Sequence, residues 1–545
     1  MTVKVTNSAW KLLQGLGRHL RRPCYDTIVR VDYLKPQDSE LVEYGARRWL
    51  IVVGVMSATL LQVLDVTIVN VALPTIQGNM GANFDEGAWI VTGYIIAAVI
   101  VIPLTPWLQQ LFGRRQYYVV AIAGFTVTSV LCGISTSLDE LVFFRILQGF
   151  CGGGLISTGQ AIMRDTFPAK QLGLSQALAS IGAVIGPSIG PTLGGILTDQ
   201  LSWNWIFFIN VLPGIGSALL CAALLRNPPR RARPSVDAIG LGFMAVGLAS
   251  LQYVLDEGER YDWFSDANIL VTAVVSFVSL AAFAWWELRV VRNPIVDLRI
   301  LVTNRTVAIG CVLAMALAFN LFGGVILAPQ FQQSLLNFTA TLSGESILMR
   351  ALAILVTTPV TLVLLGRLHL RPWLLLGIGF AIVGIANVVT AGISTSQSQF
   401  GTFVFPLVLG GIGFGLLFVP LSVAVLSSVF VPDTQKATSL LSLCQQLGGS
   451  ISTAFLVTLL DRRQALHLDA LAAQVTLRSP AVQQALQHHA PLALLSGLVT
   501  QQAATMAFAD AFFVLGIITI VLLPLVFLLR TRRTPVSSQP VLAME

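Results

Sequence analysis

Long apolar stretches separated by short polar ones run along nearly the whole chain. Each stretch has about 20 residues or more, the length that an α-helix needs to cross a hydrocarbon core of ~30 Å. The alternating strands of about ten residues that build membrane β-barrels are absent from the sequence. The pattern therefore predicts an all-α polytopic membrane protein. The predicted spans lie at 48–73, 88–111, 117–135, 139–161, 172–198, 203–225, 238–256, 267–287, 306–328, 341–365, 373–391, 401–429, 437–460 and 506–530.

Two basic breaks divide these predicted spans, about fourteen in all, into groups of six, two and six. The first break carries the proline-rich sequence NPPRRARP, which no membrane span could contain, and the second is rich in arginine. The predicted units are an N-terminal segment at 1–47, a six-helix half at 48–226, a cytoplasmic linker at 227–237, two extra helices at 238–288, a second linker at 289–305, a C-terminal six-helix half at 306–530 that includes a long outer loop at 461–505, and a tail at 531–545.

Lysine and arginine are concentrated in alternate loops. If the N-terminus is cytoplasmic, 27 of the 33 Lys and Arg residues face the cytoplasm, four face outward, and two, Arg145 and Arg350, lie within spans. This is the positive-inside distribution, and an even number of spans then places both termini in the cytoplasm. The same distribution explains the net charge of +7 without a nucleic-acid partner.

The sequence lacks the motifs of metal, nucleotide or enzymatic chemistry. Its six cysteines are scattered without the spacing of a metal site or a disulfide framework. There is no Walker lysine loop and no soluble domain large enough for a nucleotide site. We therefore expect no metal, no cofactor and no enzymatic activity, and an ion gradient as the energy source if transport is active.

One carboxylate, Asp65, lies deep inside the first apolar run, LLQVLDVTIVNVALPTI. An aspartate at the centre of a spanning helix costs roughly 2.5 to 3.5 kcal/mol on insertion, so such a residue normally faces a partner, a cavity or a proton path. It lies ~13 Å below the outer end of the span. Asp65 is therefore a candidate for reversible protonation, and an aspartate with a purely structural role is the alternative.

Arg145, in the fourth-span sequence FFRILQGFCGGG, lies at a similar depth, ~9 Å below the outer surface. A guanidinium there could pair with Asp65 and tune its protonation, whereas a structural ion pair is the alternative. Glu345 and Arg350 lie five residues apart, so they are about 140° apart around a helix and are not expected to pair. Weaker candidates for the lining of a substrate cavity are Gln62, Gln148, Glu345, Arg350 and Asp510.

The fifth span contains a glycine stripe, GAVIGPSIGPTLGG. Glycines spaced by four residues form a smooth face that allows a neighbouring helix to approach closely, and the interleaved prolines bend the helix. A short inner turn with the sequence GRR follows the second span, although topology alone would explain its arginines. The residues of the two motifs are Gly182, Gly186, Pro187, Gly190, Pro191, Gly194 and Gly195 in the stripe, and Gly113, Arg114 and Arg115 in the turn.

Together these motifs resemble those of the major facilitator superfamily, specifically the fourteen-span drug:proton antiporters of the EmrB/QacA group, and EmrB-type multidrug exporters most of all. The resemblance runs from about residue 49 to 530 and includes SWNWIFFINVLPGI and NPIVDLRI. It implies a proton-coupling role for Asp65 and a role for Arg145 in proton transfer or in tuning that site. It also implies that the glycine–proline motif marks an exporter rather than an importer.

The inner-turn motif departs from the family pattern at two positions. Pro106 stands where the family has glycine, and Gln110 stands where it has aspartate. That aspartate belongs to the family's inner gate. Its absence here argues against a charge-based lock that closes the cytoplasmic side.

The resulting hypothesis is a proton:substrate antiporter of the bacterial inner membrane that exports amphiphilic drugs or other toxic compounds by alternating access. The resemblance implies a periplasmic membrane-fusion adaptor and an outer-membrane channel as partners, besides substrate, protons and lipid. A proton-coupled importer of a small organic solute and a non-transporting membrane sensor or scaffold are the alternatives. The sequence does not identify the substrate.

Overall fold

The computed structural model describes residues 41–82, 84–228, 237–291, 294, 296–430, 433–475 and 492–529, and all regular elements of this part of the chain are helical. The first group is α1 (Gly45–Met80), α2 (Phe84–Phe112), α3 (Arg114–Ile134), α4 (Leu138–Gly152), α5 (Leu155–Thr166), a 3-10 turn (Ala169–Gln171), α6 (Leu172–Gln200), α7 (Trp205–Phe208) and α8 (Val211–Leu224).

The second group is α9 (Ala238–Glu257), a 3-10 turn (Trp263–Ser265), α10 (Ala267–Trp285) and a π-helical turn (Trp286–Val290). The third group is α11 (Arg299–Thr303), α12 (Arg305–Ser334), α13 (Ala340–Gly366), α14 (Pro372–Ile393), α15 (Phe400–Gly415), α16 (Phe418–Leu426), α17 (Thr434–Gln474), α18 (Leu492–Val521) and α19 (Leu523–Phe527). The predicted N-terminal segment up to residue 40, most of the first linker, and the C-terminal tail lie outside the described residues.

Thirteen helical segments among the described residues are long and apolar enough to cross a membrane. Several of them consist of two short helices in sequence, such as α4 with α5 and α15 with α16. A further 29-residue helix, α6, carries a single charged residue, Asp199, and packs along α1. At ~1.5 Å per residue α6 is also long enough to cross. The all-α membrane-spanning fold predicted from hydropathy is thereby confirmed.

The expectation of a long outer loop between the last two spans was wrong in its first part. The sequence predicted a loop over 461–505, whereas α17 continues to Gln474 and α18 begins at Leu492. Residues 461–474, DRRQALHLDALAAQ, contain no glycine or proline and are rich in alanine, leucine, glutamine and arginine, which favour helix. Hydropathy shows only where the apolar segment ends. The helix α17 continues beyond that point because residues 461–474 have high helix propensity. Residues 476–491 lie outside the described residues.

The glycine stripe of α6 lies against α1. A Cβ atom built on Gly186 would be 2.7 Å from Val63 Cγ1 and 3.3 Å from the backbone N of Leu64, closer than normal packing allows. Thr67 Oγ1 of α1 also donates to the carbonyl of Gly186 at 3.4 Å. The two backbones therefore approach closely enough to exclude water around the polar residues of α1. Gly195 is buried too, and the side chain of Pro187 lies outside the described residues.

The extra helix α9 contacts elements of both six-helix groups. The ring of Trp89 on α2 stacks on that of Tyr253 on α9, with centroids 5.9 Å apart. Ser450 Oγ of α17 donates to Gln252 Oε1 of α9 at 3.0 Å. These contacts place α9 beside α2 and α17 rather than in a separate unit.

Candidate functional site

A charged pair lies fully buried within the first six-helix group. Asp65 on α1 and Arg145 on α4 are each 0% exposed. Arg145 Nη1 donates to Asp65 Oδ2 at 2.6 Å. The two residues for which the sequence predicts similar depths in the membrane therefore form an ion pair. Because taking either charge out of water alone costs several kcal/mol, each makes the burial of the other tolerable.

Two amides complete the hydrogen bonding of the carboxylate. Gln148 Nε2 donates to Asp65 Oδ1 at 3.0 Å, and Asn210 Nδ2 donates to the same oxygen at 3.2 Å. The other end of Gln148, Oε1, accepts from Arg145 Nη1 at 2.7 Å. Both carboxylate oxygens therefore act as acceptors in this arrangement. Three N–H groups donating to one carboxylate stabilise its ionised form in this arrangement.

Three further contacts fix the position of the Arg145 guanidinium. Its Nε donates to the carbonyl of Ile90 on α2 at 3.0 Å. Its Cζ lies 4.3 Å from the ring centroid of Tyr94 and 5.8 Å from that of Phe207, within the range of cation–π attraction. The fourth helix can approach α2 this closely because a Cβ atom at Gly149 would overlap the carbonyl oxygen of Tyr94.

Sequence reasoning missed Asn210 as a member of this network. The residue is 0% exposed and lies between α7 and α8, where Nδ2 also contacts Ser129 Oγ at 3.1 Å. A signal was present, since Asn210 is a polar residue within the apolar run IFFINVLPGI. The criterion that singled out Asp65, a strongly polar residue in a membrane span, would also have found it.

The predicted cavity residues other than Gln148 are not brought together at this network. Gln62 Oε1 accepts from the backbone N–H of Ile156 at 3.1 Å, at the start of α5. Asp510 lies in a separate cluster, where Oδ2 is 2.9 Å from His467 Nε2 and 3.7 Å from Arg463 Nε. Each therefore has local partners away from Asp65.

Glu345 and Arg350 differ in their surroundings although they share α13. Glu345 is exposed, whereas Arg350 is buried with 5% of its surface accessible. The two residues therefore lie on different sides of α13, as their separation around the helix predicted.

The arginines of the inner turn bind groups of their own half. Arg114 Nη1 lies 2.7 Å from Asp165 Oδ2 in a buried ion pair at the end of α5. The backbone N–H of Arg115 donates to Asn227 Oδ1 at 2.8 Å, after the end of α8. Gly113 has φ +93°, in the region that favours glycine, and so permits the tight turn between α2 and α3.

A different arginine connects the two six-helix groups at their inner ends. Arg164, on α5, donates from Nη2 to the carbonyls of Leu426 at 3.0 Å and Val429 at 3.1 Å. These carbonyls lie at the C-terminus of α16, where unsatisfied C=O groups and the helix dipole attract a cation. Gln110, which replaces the family's aspartate, is exposed. The inner ends of α5 and α16 are thus joined by an arginine on a helix C-terminus.

The model of the Major Facilitator Superfamily matches residues 55–453 of this chain. The chain belongs to the major facilitator superfamily. Among its curated relatives, Multidrug export protein EmrB of Escherichia coli (strain K12) is 33% identical over 464 residues, 85% of this chain and 88% of that protein. Fatty acid resistance protein FarB of Neisseria gonorrhoeae is 31% identical over 493 residues, 86% of this chain and 94% of that protein.

The crystal structure of the human organic anion transporter MFSD10 (TETRAN) has the same fold, with a TM-score of 0.56 and 14% identity over 87% of this chain and 100% of that one. The family resemblance predicted from the motifs is confirmed. Together with the thirteen membrane-crossing segments, the bacterial relatives make this chain a multi-pass transporter of the inner membrane. Asp65 and Arg145 both lie within the residues that the superfamily model matches.

Removing one charge of the Asp65–Arg145 pair should destabilise the protein more than removing both. Arg145→Gln leaves a buried carboxylate without its cation, which costs about 3 to 5 kcal/mol in comparable pairs, whereas the double variant Asp65→Asn, Arg145→Gln leaves no charge unpaired. Thermal unfolding of the purified wild type, both single variants and the double variant completes the cycle. We expect the double variant to melt at a higher temperature than Arg145→Gln. Strictly additive effects of the two single changes would contradict a direct interaction.

Weakening the Arg164 contact should separate the inner ends of the two six-helix groups. Arg164→Gln keeps a donor but removes the charge that the α16 C-terminus attracts. Spin labels at the exposed positions Lys170 and Ser427, in a background free of cysteine, should show a distance distribution shifted to longer values by electron paramagnetic resonance. Arg367→Gln, an exposed arginine near the inner end of α13, is the matched control. Identical distributions in wild type and Arg164→Gln would show that the contact does not hold the groups together.

Proposed function

We propose that this transporter exports amphiphilic toxic compounds from the cytoplasm in exchange for protons, with the two six-helix groups rocking about a central site. The observation that carries the proposal is the buried Asp65–Arg145 pair with its amide partners. A relative that is 33% identical over most of the chain is named as a multidrug export protein, which supports export as the direction.

The hydrogen bonds around Asp65 suggest how a proton changes the conformation. Protonation neutralises the carboxylate, so its attraction for Arg145 is weakened. The new O–H group needs an acceptor, and the buried Asn210 Oδ1, which has no partner in the described residues, can supply one if that amide turns. Arg145 then keeps the carbonyl of Ile90 and Gln148 Oε1 as partners. Since α1, α2, α4 and the α7–α8 junction all supply partners to this network, losing its central interaction changes the preferred packing of these helices. The proton is released when the site opens to the cytoplasm and the ion pair forms again.

The energy available for this exchange is sufficient for useful export. A charge that crosses 100 mV gains about 2.3 kcal/mol, so a proton-motive force of about 180 mV supplies about 4 kcal/mol per proton. Each 1.36 kcal/mol corresponds to a tenfold concentration ratio. One proton per cycle would therefore support roughly a thousandfold outward gradient of a neutral substrate.

We also propose that the outer extension of α17 is a contact for a periplasmic adaptor, which would pass the substrate to an outer-membrane channel. The helix continues for residues 461–474 beyond the apolar segment, and Leu466 on this extension is 56% exposed. A helix that leaves the apolar segment with exposed leucine offers a surface that a helical partner can cover.

Deleting the outer extension should separate the adaptor from the transporter. Residues 461–495 would be replaced by a short glycine–serine linker, and the adaptor would be captured by cross-linking in cells and identified by mass spectrometry. We expect the adaptor to be lost while proton uptake coupled to substrate in proteoliposomes persists, because the partners of Asp65 are Arg145, Gln148 and Asn210, which the deletion leaves in place. An adaptor that still copurifies with the shortened protein would overturn this assignment.

Asp65→Asn should abolish proton-driven export while the protein remains folded in the membrane. Asparagine has nearly the same shape and can still accept at one oxygen, but it cannot take up and release a proton. Dye efflux from energised cells and proton movement in inside-out vesicles measure the effect, which we expect to be at least 100-fold on the export rate. Asp139→Asn, at the exposed start of α4, is the matched control and should export normally. Normal export by Asp65→Asn at equal protein level would falsify the coupling role.

A further inference from the structure

A second carboxylate, that of Asp256, lies near the outer end of α9 with one oxygen buried. Its Oδ1 accepts from Gln252 Nε2 at 2.8 Å. The other oxygen, Oδ2, is closed to solvent and has no hydrogen-bond partner within the described residues. Arg260 pairs instead with Glu257, with 2.8 Å between Nη1 and Oε2. Among the residues that the structure describes, no lysine or arginine forms an ion pair with Asp256.

The surroundings of Asp256 favour the opposite protonation state from those of Asp65. Asp65 accepts from three N–H groups, one of them on a guanidinium. Asp256 accepts from one amide, and within the described residues the charged group that acts on it across space is the acid Glu257. An ionised oxygen that is buried without a donor is costly, whereas a protonated carboxyl leaves no charge there. In this arrangement Asp256 therefore favours its neutral form, while Asp65 favours its ionised form.

The helix α9 connects α2 of the first group with α17 of the third group around this carboxylate. On one side, the hydroxyl of Thr92 on α2 faces Asp256. On the other side, the amide of Gln252 uses both of its ends, since Nε2 donates to Asp256 and Oε1 accepts from Ser450 Oγ of α17 at 3.0 Å. Thr92, Gln252, Asp256 and Ser450 are here called the outer bridge.

Two contacts of aromatic side chains hold α9 on the same two helices. The stacked rings of Trp89 and Tyr253 join α2 to α9. The indole N–H of Trp263, just after α9, donates to Thr458 Oγ1 of α17 at 2.9 Å. A change in the charge of Asp256 therefore acts at a point where one helix contacts both six-helix groups.

We propose that Asp256 is a second proton-binding residue, which takes a proton from the outer side and in its neutral form holds α2 and α17 together through α9. The inference goes beyond the proposed function, which places proton exchange at Asp65. Asp256 lies one residue before the end of α9, next to the outer turn. An O–H bond forms at its Oδ2 on protonation, and on ionisation the proton returns to the outer water, so this proton is not transported. Since only the neutral form suits the outer bridge, the bridge is stable in acid and is weakened as the pH rises.

The titratable groups that surround the outer bridge are mainly acidic. They are Tyr253, Glu257, Glu259 and Arg260 on or just after α9, and Asp461 on α17. The cation among them, Arg260, is already paired with Glu257. Helix α10 contains no titratable side chain, and α2 faces Asp256 with the uncharged Thr92. Ionisation of Asp256 therefore adds a negative charge to an acidic region without gaining an ion pair.

Infrared titration of the purified full-length protein in dodecyl maltoside, a detergent without a carbonyl group, tests for the bound proton. A protonated carboxyl has a C=O stretch that is separate from the bands of a carboxylate. At neutral pH we expect this band in the wild type and its loss in Asp256→Asn, and in the wild type it should disappear as the pH is raised. Asp461→Asn, at an exposed acid on α17, is the matched control and should keep the band. Absence of the band from the wild type, or equal bands in wild type and Asp256→Asn, would overturn the proposal.

Distance measurements test whether the proton holds the outer bridge together. In a background free of cysteine, spin labels at the exposed outer positions Asn79 on α1 and Ala465 on α17 report the separation of the two six-helix groups by electron paramagnetic resonance. In the wild type we expect the distances to shift to longer values as the pH rises. Asp256→Asn should keep the shorter distances at every pH, because its amide is neutral like the protonated acid, whereas Asp461→Asn should follow the wild type. Wild-type distances that do not change with pH, or an equal shift in Asp256→Asn, would contradict the inference.

A second variant keeps the test decisive if Asp256→Asn does not fold. Ser450→Ala removes the hydrogen bond to Gln252 Oε1 and leaves the carboxyl group itself intact. It should keep the infrared band and lose most of the pH-dependent shift in distance, because α17 is no longer bonded to the outer bridge. A full shift in Ser450→Ala would overturn the proposal, as would loss of the band.

The Asp65→Asn variant separates this inference from the proposed function. It should keep both the infrared band of Asp256 and the pH-dependent shift in distance, but fail to couple transport to protons. If Asp65→Asn exports normally while Asp256→Asn loses the band and the shift, the coupling proposal fails and the inference stands. The converse result, coupling lost in Asp65→Asn with band and shift unchanged in Asp256→Asn, removes the inference alone.

Discussion

The buried Asp65–Arg145 interaction sets the arrangement of the first six-helix group. Opposite charges 2.6 Å apart in a site closed to water attract strongly only while their geometry is maintained and their remaining donors and acceptors are satisfied. The acceptors and donors come from α1, α2, α4 and the α7–α8 junction. Glycines make this possible, because Gly149 brings α4 against α2 and Gly186 brings α6 against α1. The glycine motifs and the charged pair therefore depend on each other, because close packing of the helix backbones keeps water away from the charges.

Much of the fold followed from hydropathy because a membrane allows few alternatives. Each backbone N–H and C=O in lipid must be satisfied within its own segment, so a long apolar run can only be a helix, and arginine and lysine in the loops orient it. The wrong expectation, a loop at 461–505, concerns a region outside this constraint. There the helix α17 continues because residues 461–474 favour helix, and hydropathy carries no information about that.

The candidate site was predictable only in part, for a similar reason. Depth along a span is a one-dimensional quantity, so the sequence could place Asp65 and Arg145 at the same level. Which helices are neighbours, and which side chains face each other, depends on packing among residues far apart in the chain. The contact of Asn210 with Asp65 and that of Arg164 with the end of α16 span 145 and more than 260 residues, respectively. No local period encodes such contacts, although single polar residues in apolar runs identify the participants.

The buried pair also has an electrical consequence for the proposed exchange. Arg145 is balanced by Asp65, so uptake of a proton by the carboxylate leaves a net positive charge in a site closed to water. An unbalanced buried charge is unfavourable, and this favours a change of packing that lets the proton leave again. If the proton enters from outside while a neutral substrate is exported, each exchange moves one elementary charge in the direction that an inside-negative potential favours. At about 2.3 kcal/mol per charge per 100 mV, the membrane potential then drives export together with the pH gradient.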